Sequence, residues 1–122
     1  MQRILIVEDK ANSRELLRTV LEQQGYAVEE AQDGEQALTM IQERPPDLVL
    51  MDLHLPRRDG YGVLQEIRGN PKLASIPVVA VTANAMPGDQ DRVLAAGFTG
   101  YIAKPVALSQ LRAEVNRLLR PK

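Results

Sequence analysis

The chain contains no cysteine. That removes disulfides, thiolate metal centres and thiol nucleophiles, and it suits a reducing cytoplasm. Charge of one sign is not in excess either: 15 Lys and Arg face 16 Asp and Glu, for a formal net charge of −1. A general nucleic-acid binder would show a basic face, so no nucleic-acid partner is expected. Long hydrophobic runs are missing. The opening Met1-Gln2-Arg3 passes into Ile4-Leu5-Ile6-Val7 and stops at Glu8-Asp9, too short for a signal peptide or a membrane span. There is no glycine-rich phosphate loop, dinucleotide fingerprint, internal repeat or linker. A soluble, cytoplasmic protein without a membrane partner is expected. At 122 residues it has enough chain for one domain, 1–122, with its own core.

What is present is organised around Leu48-Val49-Leu50-Met51-Asp52-Leu53-His54-Leu55-Pro56. Four apolar residues in a row read as a strand buried on both faces, and the strand ends on a carboxylate. A charge there is costly unless it has partners. The rest of the chain alternates short apolar runs with amphipathic segments. Ile4 to Val7 forms a first strand, and Ala11 to Gln24 a helix with Leu16, Leu17, Val20 and Leu21 on one face. Gly25 stands at the expected C′ position. Tyr26 to Ala31 carries Glu29 and Glu30 and reads as an edge strand. Asp33-Gly34 opens a helix with Ala37, Leu38 and Ile41, which Pro45-Pro46 terminates.

After the central strand, Gly60 to Arg68 places Val63, Leu64 and Ile67 on one face. Ile76 to Val81 is a fourth strand ending on Thr82. Pro87 to Ala96 is polar for a helix, with Val93, Leu94 and alanines to bury, and Gly97 closes it. Thr99 to Ala103 gives a fifth strand ending on Lys104-Pro105. Leu108, Leu111, Val115, Leu118 and Leu119 mark the last helix. The tail Arg120-Pro121-Lys122 follows at once.

Five mostly apolar strands alternating with five helices imply an α/β fold, a doubly wound parallel sheet covered on both faces. In such sheets ligands bind beyond the carboxyl ends of the strands. Here those ends carry Glu8, Asp9, Asp52, Thr82 and Lys104, so four strands deliver three carboxylates, a hydroxyl and an ammonium to one rim.

The chemistry follows from these charges. Two carboxylates about 4 Å apart repel by roughly 4 kcal/mol at an effective dielectric near 20. Oxygen ligands without histidine or cysteine clustering suit magnesium or manganese rather than zinc. Lys104 is a mobile point charge for a phosphoryl oxygen, and Thr82 a hydroxyl donor for another. Asp52 is the candidate nucleophile, since carboxylates attack phosphorus to form aspartyl phosphates.

The order Glu8-Asp9, Asp52, Thr82, Lys104-Pro105 resembles the receiver domain of two-component response regulators over essentially the whole chain. The likeness is carried by Ile6-Val7-Glu8-Asp9, by Met51-Asp52-Leu53-x-Leu55-Pro56 with Asp59-Gly60, by Val81-Thr82-Ala83 and by Ala103-Lys104-Pro105. It implies a chemotaxis-receiver-like, flavodoxin-like sheet of order 2-1-3-4-5. It further implies that Asp52 accepts a phosphoryl group from a phosphohistidine of a sensor kinase or phosphotransfer protein. Glu8, Asp9, Asp52 and the backbone carbonyl of His54 would hold Mg2+, Thr82 and Lys104 would assist transfer, and Thr82 and Tyr101 would be the switch pair. Such a module is a phosphoacceptor rather than a turnover enzyme. It is expected as a monomer or weak dimer that signals through a face made by the fourth helix, fifth strand and fifth helix. Lys104-Pro105 is, by the same likeness, a candidate cis peptide. The run from Thr82 to Asp89 is similar to receivers of stand-alone cell-cycle regulators and hybrid kinases.

Some positions depart from the pattern. Arg57-Arg58 stand where small or apolar residues are frequent, and Lys10 reads as a solvated helix-start residue. His54 reads as an exposed loop side chain, though it lies near the phosphoryl path. Two other functions stay open. A dehalogenase-like phosphatase also uses a strand-end Asp, but its second carboxylate two residues on is His54 here. A receiver-fold interaction module could work without phosphorylation, and magnesium-dependent labelling of Asp52 separates it from the acceptor.

Overall fold

The computed structural model describes residues 2–55, 59–83 and 87–119. Readings that rest on Pro56, Arg57-Arg58, Asn84-Ala85-Met86 and the tail Arg120-Pro121-Lys122 lie outside the described residues. The elements alternate along the chain as β1 (Arg3–Val7), α1 (Ala11–Gln23), β2 (Ala27–Ala31), α2 (Gly34–Glu43), β3 (Leu48–Asp52), α3 (Gly60–Gly69), β4 (Val78–Thr82), α4 (Asp89–Ala95), β5 (Gly100–Ala103) and α5 (Leu108–Leu118). All strand pairs are parallel, and the sheet order is β2-β1-β3-β4-β5. This is the doubly wound sheet anticipated above.

Side-chain alternation along the strands divides the core in two. Leu5, Val7, Val49, Met51, Val78 and Ala80 face α2, α3 and Val93 of α4. Ile4, Ile6, Leu48, Leu50, Val79 and Val81 face α1 and α5. Central strands β3 and β4 are buried at every residue, whereas β2, at the edge, is only partly so. Helix starts follow local chemistry: Asp33 accepts the Gln36 N–H and Asp59 the Gly62 N–H, both at 2.8 Å. Gly25 and Gly97 close α1 and α4 with φ of +94° and +112°, which a side chain at either position would oppose.

Three sequence expectations need correction. Leu16 was placed with Leu17, Val20 and Leu21, but it is 51 % exposed, because those three already form the i, i+3, i+4 stripe and Leu16 lies off it. It lines a shallow apolar groove instead, with Leu17, Pro105 and Val106, close to Lys104. Leu94 and Leu108 are likewise largely exposed, leaving Val93 as the one buried side chain of α4. The fourth strand begins at Val78 rather than Ile76, and it ends on Thr82 as β3 ends on Asp52.

The start of α3 presses on the end of β3. A Cβ on Gly60 would stand 2.9 Å from the Asp52 carbonyl oxygen and 3.1 Å from Leu53 Cα, both backbone atoms. The Gly60 N–H also donates to the Leu53 carbonyl. Gly60→Ala should therefore destabilise the fold by about 1–3 kcal/mol through overpacking. Gly69→Ala, in the last turn of the same helix with open space at its Cβ, should be neutral or stabilising by up to about 1 kcal/mol. Urea unfolding of both variants checks this; equal stabilities would contradict it.

Candidate functional site

Register brings the rim together. β1 and β3 pair Val7 with Met51, so Glu8 and Asp52 follow side by side. β3 and β4 pair Asp52 with Val81, and β4 and β5 pair Thr82 with Ala103, so Lys104 comes next on the far strand. The Lys104 N–H donates to the Thr82 carbonyl at 2.8 Å, and the Glu8 N–H to the Ala31 carbonyl at 3.0 Å. The Lys104-Pro105 peptide is cis.

From those positions the side chains converge. Each of Glu8, Asp9 and Asp52 offers a carboxylate oxygen, all within 4.8 Å of one another. Glu8 and Asp52 are buried, and Asp9 is exposed to solvent. Lys104 Nζ lies 3.0 Å from Glu8 Oε1 and 3.2 Å from Asp52 Oδ2. Asp52 Oδ1 accepts the His54 N–H at 2.9 Å. The resting ammonium is thus engaged by two carboxylates, where the sequence reading had it available to a phosphoryl oxygen.

Burial and proximity set the protonation of the pair. Burial pushes the Glu8 carboxyl up to about 7, helped by its hydrogen bond with Asp52 and opposed by Lys104. Burial also acts to raise Asp52, but the bonds from Glu8, the His54 N–H and Lys104 outweigh it and hold Asp52 below its usual range. Desolvation works against the Lys104 ammonium, yet its two carboxylate partners win and raise its pKa. Like charges this close do not all ionise freely, and Glu8, the deeper of the two buried groups, keeps the proton longer.

The donor set fits a hard divalent cation. It is all oxygen, and one member is orphaned: among the described residues, Glu8 Oε2 is buried without a hydrogen-bond partner. An unsatisfied buried carboxylate oxygen is expensive, and a cation or its water would satisfy it.

Other expected residues fall as follows. Thr82 is buried at the end of β4. Tyr101 is half-buried against the α2–α3 side of the core, the side toward which Thr82 also projects by alternation. His54 and Lys10 are exposed, and Lys10 is the N-cap of α1. Sequence reasoning missed Arg14, whose guanidinium donates to the Glu8 carbonyl at 2.9 Å. No local pattern separates Arg14 from the other cations of α1, because its meaning lies in partners on other elements.

The raised pKa of Glu8 has a pH consequence. Its folded value, about 7, exceeds its unfolded reference of 4.5, so the folded state holds more protons between them. Metal-free stability from this group is fully present below pH 4.5 and is lost as pH rises through 7. The Asp52 shift is downward and acts in a lower window, being lost as pH falls below its usual value. Thermal melts in chelator from pH 5 to 8 should show Glu8→Gln flattening the decline seen in the unaltered protein. Parallel profiles for the two would contradict the assignment.

Known proteins share this geometry. The family model described as "Response regulator receiver domain" matches residues 4–116. The polar-differentiation response regulator DivK of Brucella anthropi is 39% identical over 116 residues, covering 95% of this chain and 94% of that protein. The "Probable transcriptional regulator ycf27" of Guillardia theta is 39% identical over 119 residues, and there the chain spans only 46% of the relative's length. Among solved structures, the receiver domain of a Pseudomonas aeruginosa sensor histidine kinase, with magnesium ion coordinated in its active-site cleft, superposes with a TM-score of 0.88 at 37% identity, covering 96% of both chains. The signal receiver domain of a histidine kinase from Syntrophus aciditrophicus gives 0.89 at 35% identity, over 100% of this chain and 96% of that one. Sheet order, rim and relatives agree: the chain belongs to the response regulator receiver domain family of two-component systems.

Proposed function

We propose that the chain is a phosphorylation-switched signalling module in which Asp52 accepts a phosphoryl group from a phosphohistidine of a sensor kinase or phosphotransfer protein. The observation that carries this reading is Asp52 itself, buried at the end of the central strand with Glu8 and Asp9 within 4.8 Å and Lys104 in contact. Its pKa is held below the usual carboxylate range, so the attacking oxygen is ionised at neutral pH. In transfer a P–O bond forms at Asp52 while the P–N bond of the donor breaks, and the bonding pair returns to the donor imidazole.

Each neighbour has a part. Glu8, Asp9, Asp52 and the His54 carbonyl are the groups that would hold Mg2+, which when bound offsets the negative charge of carboxylates and phosphoryl oxygens. Lys104 gives up its contact with Asp52 and meets a phosphoryl oxygen instead. The His54 N–H, already aimed at Asp52, holds the carboxylate plane. The Thr82 hydroxyl turns toward a second phosphoryl oxygen, which frees space on the core side that the Tyr101 ring can enter.

That movement is the switch. α4 has seven residues, one buried side chain and no side-chain cap, so little holds it in one place. Phosphorylation biases an existing two-state equilibrium of the α4–β5–α5 face, where a protein partner selects the altered form. We expect a monomer or weak dimer in the cytoplasm, where ATP-charged histidine donors arise.

Two measurements test this. A panel of phosphorylated histidine donors should transfer label to the protein with Mg2+ present, and Asp52→Asn should abolish it; full labelling of that variant would sink the acceptor assignment. Amide shift mapping with Mg2+ and beryllofluoride should perturb residues 87–103 as well as the rim. Changes confined to the loops around Glu8 and Asp52 would refute the proposed route to the partner face.

A further inference from the structure

The peptide that joins Glu8 to Asp9 is held from outside its own loop. Its carbonyl, that of Glu8, accepts from Arg14 Nη1 at 2.9 Å, while the Glu8 N–H is tied to Ala31 of β2 at 3.0 Å. The N-cap of α1 is Lys10, which makes no side-chain cap, and the first turn has no acidic residue. Arg14 is anchored in turn: its Nε donates to Glu30 Oε1 at 3.1 Å, and its side chain is only 12% exposed. Glu30 is held on its other oxygen by Arg18. One planar guanidinium therefore spans from the edge strand to the acidic corner, a fork that a lysine ammonium does not reproduce.

We propose that Arg14 is a positioning residue for the divalent-cation site, fixing the peptide plane between Glu8 and Asp9 so that both carboxylates meet the cation. The inference rests on the metal reading above. It differs from an electrostatic role in sign. Arg14 is a positive charge beside a cation site, so deleting it should tighten metal binding if charge were what mattered. Positioning predicts weaker binding. It also differs from a merely structural role, which would lower thermal stability equally with and without metal.

Calorimetric titration with Mg2+ of the full chain and its variants, paired with melts in Mg2+ and in chelator, distinguishes these. Arg14→Met should weaken Mg2+ binding about tenfold, the usual scale for groups that orient metal ligands, while Arg18→Met, which shares Glu30 but not Glu8, stays within about twofold. The Mg2+-induced rise in Tm should shrink in Arg14→Met, and Arg14→Lys should recover only part of the affinity. If Arg14→Met does not fold, Glu30→Gln loosens the anchor with Arg14 in place and should weaken binding to a lesser degree. Mg2+ affinity unchanged or tighter in Arg14→Met, or unchanged in Glu30→Gln, overturns the inference while tight binding by the unaltered protein leaves the metal reading intact. Failure of the unaltered protein to bind Mg2+ overturns both.

Discussion

Three carboxylates within 4.8 Å of one another face, among the described residues, the one bridging ammonium of Lys104, and the rest of the site answers to that imbalance. A pair of ionised carboxylates at about 4 Å repels by roughly 4 kcal/mol at an effective dielectric near 20, so the cluster needs compensation. Lys104 supplies part of it by bridging Glu8 and Asp52, and Glu8 supplies more by holding its proton up to about pH 7. Both devices are reversible. The ammonium can move to another anion, and the proton can leave, so the cluster can take a hard cation without rebuilding its core. A buried oxygen left unsatisfied at Glu8 Oε2 marks where compensation is still incomplete.

The sheet order makes this cluster, and the opposite end of the molecule keeps it stable. β1 lies beside β3, which sets Glu8 next to Asp52 although they are 44 positions apart in the chain. At the other end, the Arg68 guanidinium donates to the carbonyls of Ala74, Ile76 and Gly97 and to the Thr99 hydroxyl. Those bonds fasten α3 to the starts of β4 and β5, and Tyr61 packs edge-on against Phe98 nearby. Their carboxyl ends carry Thr82 and lead into Lys104, and α4 between them buries one side chain, Val93. In the proposed switch, one face could then change without unfolding the sheet.

Much of this was legible in the residues. Continuous apolar runs located β1, β3 and β4 because a strand covered on both faces has no polar side to show. The polar residue closing each run located the rim, because a charge there needs a partner. The order of the strands was not legible from periodicity and came from resemblance to a family. Exposure of Leu16 is not legible, because Leu16, Leu17, Val20 and Leu21 crowd four apolar positions into six residues and the stripe buries only the last three. The resting grip of Glu8 on Lys104 was also hidden, since it joins residues 96 positions apart. The part played by Arg14 was hidden for the same reason, as was the close approach of Gly60 to Asp52 and Leu53, although Gly60 itself stands in the motif.

The central claim is that Asp52 carries the phosphoryl group, and the most direct measurement is chemical trapping of the acyl phosphate. The unaltered protein, charged by a phosphohistidine donor with Mg2+, is treated with borohydride, which reduces an aspartyl phosphate to homoserine. Peptide mass analysis should then find homoserine at position 52 and nowhere else, and none when Mg2+ is withheld. Homoserine at Asp9 or Asp59 with Asp52 intact, or stable phosphate on a hydroxyl or imidazole, would contradict the account.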